Sequence, residues 1–144
     1  MPHLVILYSG GLDRDVDMDA VCQDLADAMR GARDESGKAV FPTGGIRVFA
    51  YPAPHGAVAD NGAAGRAAGE PGDYGFVYLN LRMGAGRSQA AIEAAGDAIT
   101  TAAKAGLAPL LQKRRVGMTF QIDVGPQVYD ARFGNLHALF QGGK

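Results

Sequence analysis

The run from Tyr74 to Met83 constrains this chain more than any other segment. Tyr74, Phe76 and Tyr78 fall on one side of it and Val77, Leu79, Leu81 and Met83 on the other, the two-residue period of a strand with one face against a core. Gly84-Ala85-Gly86-Arg87 then turns the backbone, and Ser88 is placed to cap a long helix carrying Ile92, Ala95, Ile99, Ala103, Leu107 and Leu110 at helical spacing. Pro109 is expected to kink or interrupt that helix near its end. A second alternating run sets Val116, Met118, Phe120, Ile122 and Val124 against Arg115, Gly117, Thr119, Gln121 and Asp123. Residues 73–125 therefore read as one β-α-β unit.

The first third of the chain repeats the plan. Residues 3–8 form a short apolar strand that Ser9-Gly10-Gly11 breaks. A helix starts around Asp17, its first turn rich in Asp15, Asp17 and Asp19, which suit the positive end of the helix dipole. Val21, Leu25, Ala28 and Met29 continue it to Gly31. Gly44-Gly45 leads into a strand from Ile46 to Tyr51, which Pro52 and Pro54 are expected to end. The expectation is a single α+β domain over residues 1–144, with units at about 1–53 and 73–125. Its four-stranded sheet carries two helices on one face. Residues 54–72, rich in Gly and Ala, read as a mobile loop, and Leu136 to Phe140 as a fifth short strand. Two helices cover only one face, so an apolar row is left on the other, and self-association is the expected remedy.

Composition removes several classes of function. Fourteen Lys and Arg against 15 Asp and Glu leave a formal charge of -1, which gives no bulk attraction to nucleic acid or an anionic membrane. Cys22 is the one cysteine, so neither an intrachain disulfide nor a cysteine-rich metal site is open to the chain. No apolar stretch reaches membrane-spanning length and no charged leader precedes the first strand, which points to the cytoplasm. His3, His55 and His137 lie in three separate regions without metal-site spacing, and no cofactor motif is complete.

Three segments carry chemistry. With Met1 removed, Pro2 presents a secondary amine at the start of a strand, and such an amine, with a reference pKa of about 7.7 to 8.0, is a base near neutral pH. Ser9-Gly10-Gly11-Leu12-Asp13 resembles the pyrophosphate loop of N-type ATP pyrophosphatases, although Arg14 stands where that loop has a hydroxyl residue. Gly84-Ala85-Gly86-Arg87-Ser88 lacks the third glycine of a dinucleotide fingerprint, because Gln89 takes its place. It is still a reasonable anion site, with free amides, a helix dipole and the Arg87 guanidinium converging.

Taken in order, five segments resemble the 5-carboxymethyl-2-hydroxymuconate isomerases of the tautomerase superfamily. They are Met1-Pro2-His3 with its strand, Phe41-Pro42-Thr43-Gly44-Gly45-Ile46-Arg47, Asp73 to Tyr78, Gly84 to Ser88, and His137-Ala138-Leu139-Phe140. The resemblance implies a trimer of subunits built from paired β-α-β units. It also implies keto-enol isomerisation of a dienol di- or tricarboxylate in aromatic-acid catabolism, such as homoprotocatechuate degradation. The family's catalytic proline falls on Pro2 and its two functional arginines on Arg47 and Arg87. The implied roles are proton transfer by Pro2, and carboxylate binding and dienolate stabilisation by the arginines. Arg66 and Arg82 are further cations without an implied role. The chain departs from the pattern in its longer 54–72 segment, in Leu7 where some relatives have an acidic residue, and in Pro109. Alternatives to the enzyme are an ATP-binding protein using the Ser9–Asp13 loop and a non-enzymatic trimeric member of the family.

Overall fold

The computed structural model describes residues 2–141. Met1, on whose removal the Pro2 amine depends, and residues 142–144 lie outside the described residues. The first unit consists of β1 (His3–Ser9), a 3-10 turn (Gly10–Arg14), α1 (Met18–Gly31), a second 3-10 turn (Thr43–Gly45) and β2 (Arg47–Ala53). A short helix, α2 (Ala63–Ala67), precedes the second unit of β3 (Gly75–Met83), α3 (Gln89–Lys113) and β4 (Val116–Val124). The sheet order is β2-β1-β3-β4. Each unit pairs its own strands in parallel, β1 with β2 and β3 with β4. The two units join through the antiparallel β1–β3 pair.

Side-chain alternation sorts the sheet into two faces. Leu4, Ile6 and Tyr8 of β1 and Val77, Leu79, Leu81 and Met83 of β3 are buried beneath the helices. They meet Val21, Leu25 and Met29 of α1 and Ala91, Ala95, Ile99, Ala103, Leu107 and Leu110 of α3. Both helices are capped at their starts: Asp17, read as part of the first turn, is the cap of α1 and accepts from the amides of Asp19 and Ala20, and the Ser88 hydroxyl accepts from Ala91 N–H as expected. No helix among the described residues is long and apolar enough to cross a membrane.

The opposite face is open. Its β1–β2 half is apolar, with Leu7 48%, Phe49 55% and Tyr51 52% exposed. Its β3–β4 half is laced by polar pairs, the Tyr78 hydroxyl donating to Gln121 Oε1 at 3.0 Å and Asn80 Nδ2 to Asp123 Oδ2 at 2.9 Å. Of the two candidate rows for this face, the one bearing Phe76 and Tyr78 occupies it. Tyr74 precedes β3 and is used elsewhere, its hydroxyl accepting from Gly65 N–H at 2.9 Å.

Several local expectations need correction. Pro52 lies within β2 instead of ending it, because β2 is an edge strand, where a missing N–H is tolerated. Helix α3 runs through the exposed Pro109 without interruption. The expected fifth strand is a 3-10 turn, His137–Phe140, folded against Thr43–Gly45 rather than added to the sheet. The 54–72 loop, whose mobility is a separate matter, includes the short helix α2: the Asp60 carboxylate accepts from the amides of Gly62, Ala63 and Ala64 at 3.0–3.1 Å, and the Ala64 bond first, then the Tyr74 hydroxyl and the other two amides, hold it below the usual carboxylate range. Glu70 then receives Arg115 in a two-bond fork of 2.8 and 2.6 Å, tying the segment to the start of β4.

The central layer carries most of the stability. Leu79 sits on a middle strand against α3 and is 1% exposed. Replacement by Ala should lower the unfolding free energy by about 2–5 kcal/mol, read from the midpoint of chemical denaturation. A loss under about 1 kcal/mol would mean that the helix layer is not packed on β3 as described.

Candidate active site

The site begins with a register coincidence at one end of the sheet. His3 opens β1 and is the cross-strand partner of Arg47 on β2 and of Arg82 on β3. Leu4, Val48 and Leu81, the neighbours of these three residues, pack toward the helices, so His3, Arg47 and Arg82 all leave the open face. Buried Pro2 leads directly into this row. The His3 imidazole is held below its ordinary range by burial first, then by the positive charge of the chain terminus and of Arg47, with Asp130 opposing.

Arg47 is fixed by the turn that precedes it. Thr43–Gly45 exposes backbone carbonyls at the mouth of β2, and Arg47 Nη1 donates to Gly44 O and Ile46 O, both at 2.8 Å. The C-terminal turn closes over the same segment. A Cβ on Gly44 would lie 2.9 Å from the Phe140 ring and 3.0 Å from His137 Nδ1, so only glycine lets the two turns meet this closely. What results is a cleft of about 520 Å³ lined by His3, Arg47 and Arg82 on one side and by Asp130, Arg132 and His137 on the other. Asp130 is engaged by Arg132, whose Nε donates to it at 2.8 Å.

Arg87 lies on the other side of the Val40–Ile46 segment. Its Nε donates to Val40 O at 3.0 Å, its Nη1 to Gly84 O at 3.3 Å, and its guanidinium stands 5.2 Å over the Phe41 ring. It faces a separate depression shared with Glu35, Lys38, Pro42 and Ser88. The structure thus brings Arg47 to the Pro2 end of β1 and holds Arg87 nearby through the same backbone segment, but the two arginines do not line one cleft. Arg66 is remote, on α2, donating to Asn61 O.

Two sequence readings change here. His3 and His137, which the sequence places in separate regions, line the same cleft, whereas His55 belongs to a cavity at the opposite end of β1. The Ser9–Asp13 loop is a structural turn: the Ser9 hydroxyl accepts from Phe76 N–H at 2.9 Å, and Asp13 accepts from the Tyr8 hydroxyl at 2.6 Å. Its hydroxyl and carboxylate are thereby engaged in joining β1 to β3 and to the turn, which accounts for both side chains structurally. Sequence reasoning missed the cleft membership of Arg82 and of Asp130, Arg132 and His137. For Arg82 the signal was present in its position between the core residues Leu81 and Met83; the tail residues gave none.

Comparison with known proteins places this arrangement. Residues 2–140 match the family model described as 5-carboxymethyl-2-hydroxymuconate isomerase. A crystal structure of a 5-carboxymethyl-2-hydroxymuconate delta-isomerase is 72% identical and superposes with a TM-score of 0.97, covering 100% of this chain and 95% of that one. A 5-carboxymethyl-2-hydroxymuconate isomerase from Deinococcus radiodurans R1 is 27% identical with a TM-score of 0.72, over 97% of this chain and 94% of that one. The 5-carboxymethyl-2-hydroxymuconate Delta-isomerase of Escherichia coli is 24% identical over 141 residues, 98% of this chain and 100% of that protein. The match spans both β-α-β units, the Pro2 end of the sheet and the closing tail, and the chain belongs to the 5-carboxymethyl-2-hydroxymuconate isomerase family.

Proposed function

We propose that this chain isomerises a 5-carboxymethyl-2-hydroxymuconate-type dienol to its conjugated 2-oxo acid, with the Pro2 amine as the proton carrier. The observation that carries the reading is the strand-end cleft, where buried Pro2 precedes His3 and Arg47 is clamped by the Gly44 and Ile46 carbonyls. The amine takes the proton of the 2-hydroxyl as that O–H bond breaks. The double bonds shift along the chain, and the same proton forms the new C–H bond at carbon 5. One group serves as base and then as acid, so atoms and charge balance without a cofactor. Arg47 binds a substrate carboxylate and offsets negative charge on the dienolate oxygen, and Arg87 supplies a second cation across the Val40–Ile46 segment.

The working form in this reading is a homotrimer. Its support is the open face of β1 and β2, where Leu7, Phe49 and Tyr51 are about half exposed, more apolar surface than a small monomer leaves to water. The substrate class and the trimer together place the chain in aromatic-acid catabolism, with homoprotocatechuate degradation the route that yields such a dienol.

The test follows ultraviolet absorbance of 5-carboxymethyl-2-hydroxymuconate with protein whose intact mass establishes the loss of Met1. Wild type should turn the dienol over. Pro2→Ala should lose about a hundredfold in kcat/KM, and Arg47→Ala about as much. Activity should fall on acidification as the amine takes up its proton. Equal rates in wild type and both variants would refute the mechanism. Sedimentation should give three times the 15.0 kDa chain mass, and a monomer at micromolar concentration would remove the trimer.

A further inference from the structure

The His3 row holds one charged group that the mechanism above leaves unused. Arg82 leaves the open face of β3 between buried Leu81 and Met83, in register with His3. Its backbone position mirrors that of Arg47 across β1, roughly 10 Å away at two strand spacings. Both guanidinium groups line the same cleft.

Among the described residues the exposed Arg82 side chain makes no hydrogen bond or ion pair, its backbone being paired within the sheet. Two carboxylates lie close by in the fold, and both are committed elsewhere. Asp123, its cross-strand partner on β4, accepts from Asn80 Nδ2 at 2.9 Å. Asp130, on the facing wall of the cleft, accepts from Arg132. An arginine in a concave site whose side chain is paired with neither carboxylate retains a planar fork suited to a carboxylate from outside.

The substrate of the proposed reaction carries three carboxylates, two at the ends of the muconate chain and one on the carboxymethyl arm. That arm branches from carbon 5, the carbon that receives the proton. His3, the residue that follows Pro2, stands in register between Arg47 and Arg82, so a ligand lying across this end of the sheet meets a cation on each side. We propose that Arg82 binds the carboxymethyl carboxylate and so sets the preference for a tricarboxylate over a dicarboxylate dienol. This rests on the isomerase reading above, and it gives Arg82 a role in specificity that proton transfer does not require.

The experiment compares kcat/KM for 5-carboxymethyl-2-hydroxymuconate with that for 2-hydroxymuconate, which lacks the arm, in wild type, Arg82→Met and Arg82→Lys. Arg82→Met keeps the apolar stem and removes the fork. It should lower the tricarboxylate-to-dicarboxylate ratio by about tenfold to a hundredfold, mainly through a higher KM for the tricarboxylate. Arg82→Lys keeps the charge and should recover part of the ratio. Sedimentation of each variant at the wild-type mass separates this effect from loss of assembly; should Arg82→Met not assemble, the Lys variant carries the test, its ratio falling between about twofold and tenfold. A ratio within about twofold of wild type in both variants, or an equal loss on both dienols, would overturn the proposal while leaving the isomerase intact. A wild type inactive on both dienols would overturn the isomerase reading and this assignment together.

Discussion

The antiparallel pairing of β1 with β3 is the constraint on which the rest of the molecule depends. Each β-α-β unit buries one face of two strands under one helix, and neither closes a core alone. The pairing sets Leu4, Ile6 and Tyr8 beside Leu81, Leu79 and Val77, so α1 and α3 share a continuous apolar floor. The same register decides where the charge goes. Because His3 faces Arg82 on one side and Arg47 on the other, a shift of one residue would turn either arginine into the core. Site and core are thus two faces of one alignment.

The strand end becomes a site because turns close around it. Gly44 lets the His137–Phe140 turn settle on Thr43–Gly45, and the carbonyls of Gly44 and of Ile46, just after that turn, hold Arg47 by two bonds. Arg87 hangs from Val40 on the other side of the same segment. Residues 40–46 act as a beam between two guanidinium groups, holding both without a carboxylate that would neutralise them. At the far end of β1 the comparable polar groups are consumed internally, Ser9 by Phe76 and Asp13 by Tyr8. Polar residues thus cap both ends of the same strand, but at the Pro2 end the cations are left available to a ligand.

Much of this was legible from the residues, and the exceptions have physical causes. The period-2 run read over 74–83 emerges as a strand from Gly75 to Met83, that at 116–124 emerges as read, and so do the Ser88 cap and the helix start at Asp17, since each is a local signal that tertiary packing reinforces. Pro52 misled because the cost of a missing N–H depends on whether a neighbour strand needs it, which only sheet order decides. Leu136 to Phe140 is apolar enough for a strand, but its neighbour in space is a turn, not a sheet edge. Pro2 as a base and Arg87 as part of an anion-binding turn were readable from the residues themselves, whereas a role for Arg47 came only from resemblance to a family. Arg82 was visible only as one more cation until the register set it opposite His3.

The central claim is that chemistry occurs at the Pro2 end of β1, between cations held by the backbone. The most direct test is a crystal structure with a tricarboxylate analogue that cannot isomerise. The account predicts one carboxylate on the Arg47 guanidinium and the carbon corresponding to position 5 within hydrogen-bond reach of the Pro2 nitrogen, about 3 Å. An analogue seated instead in the cavity at the other end of the strand, against Tyr8, Ser9 and His55, would contradict it.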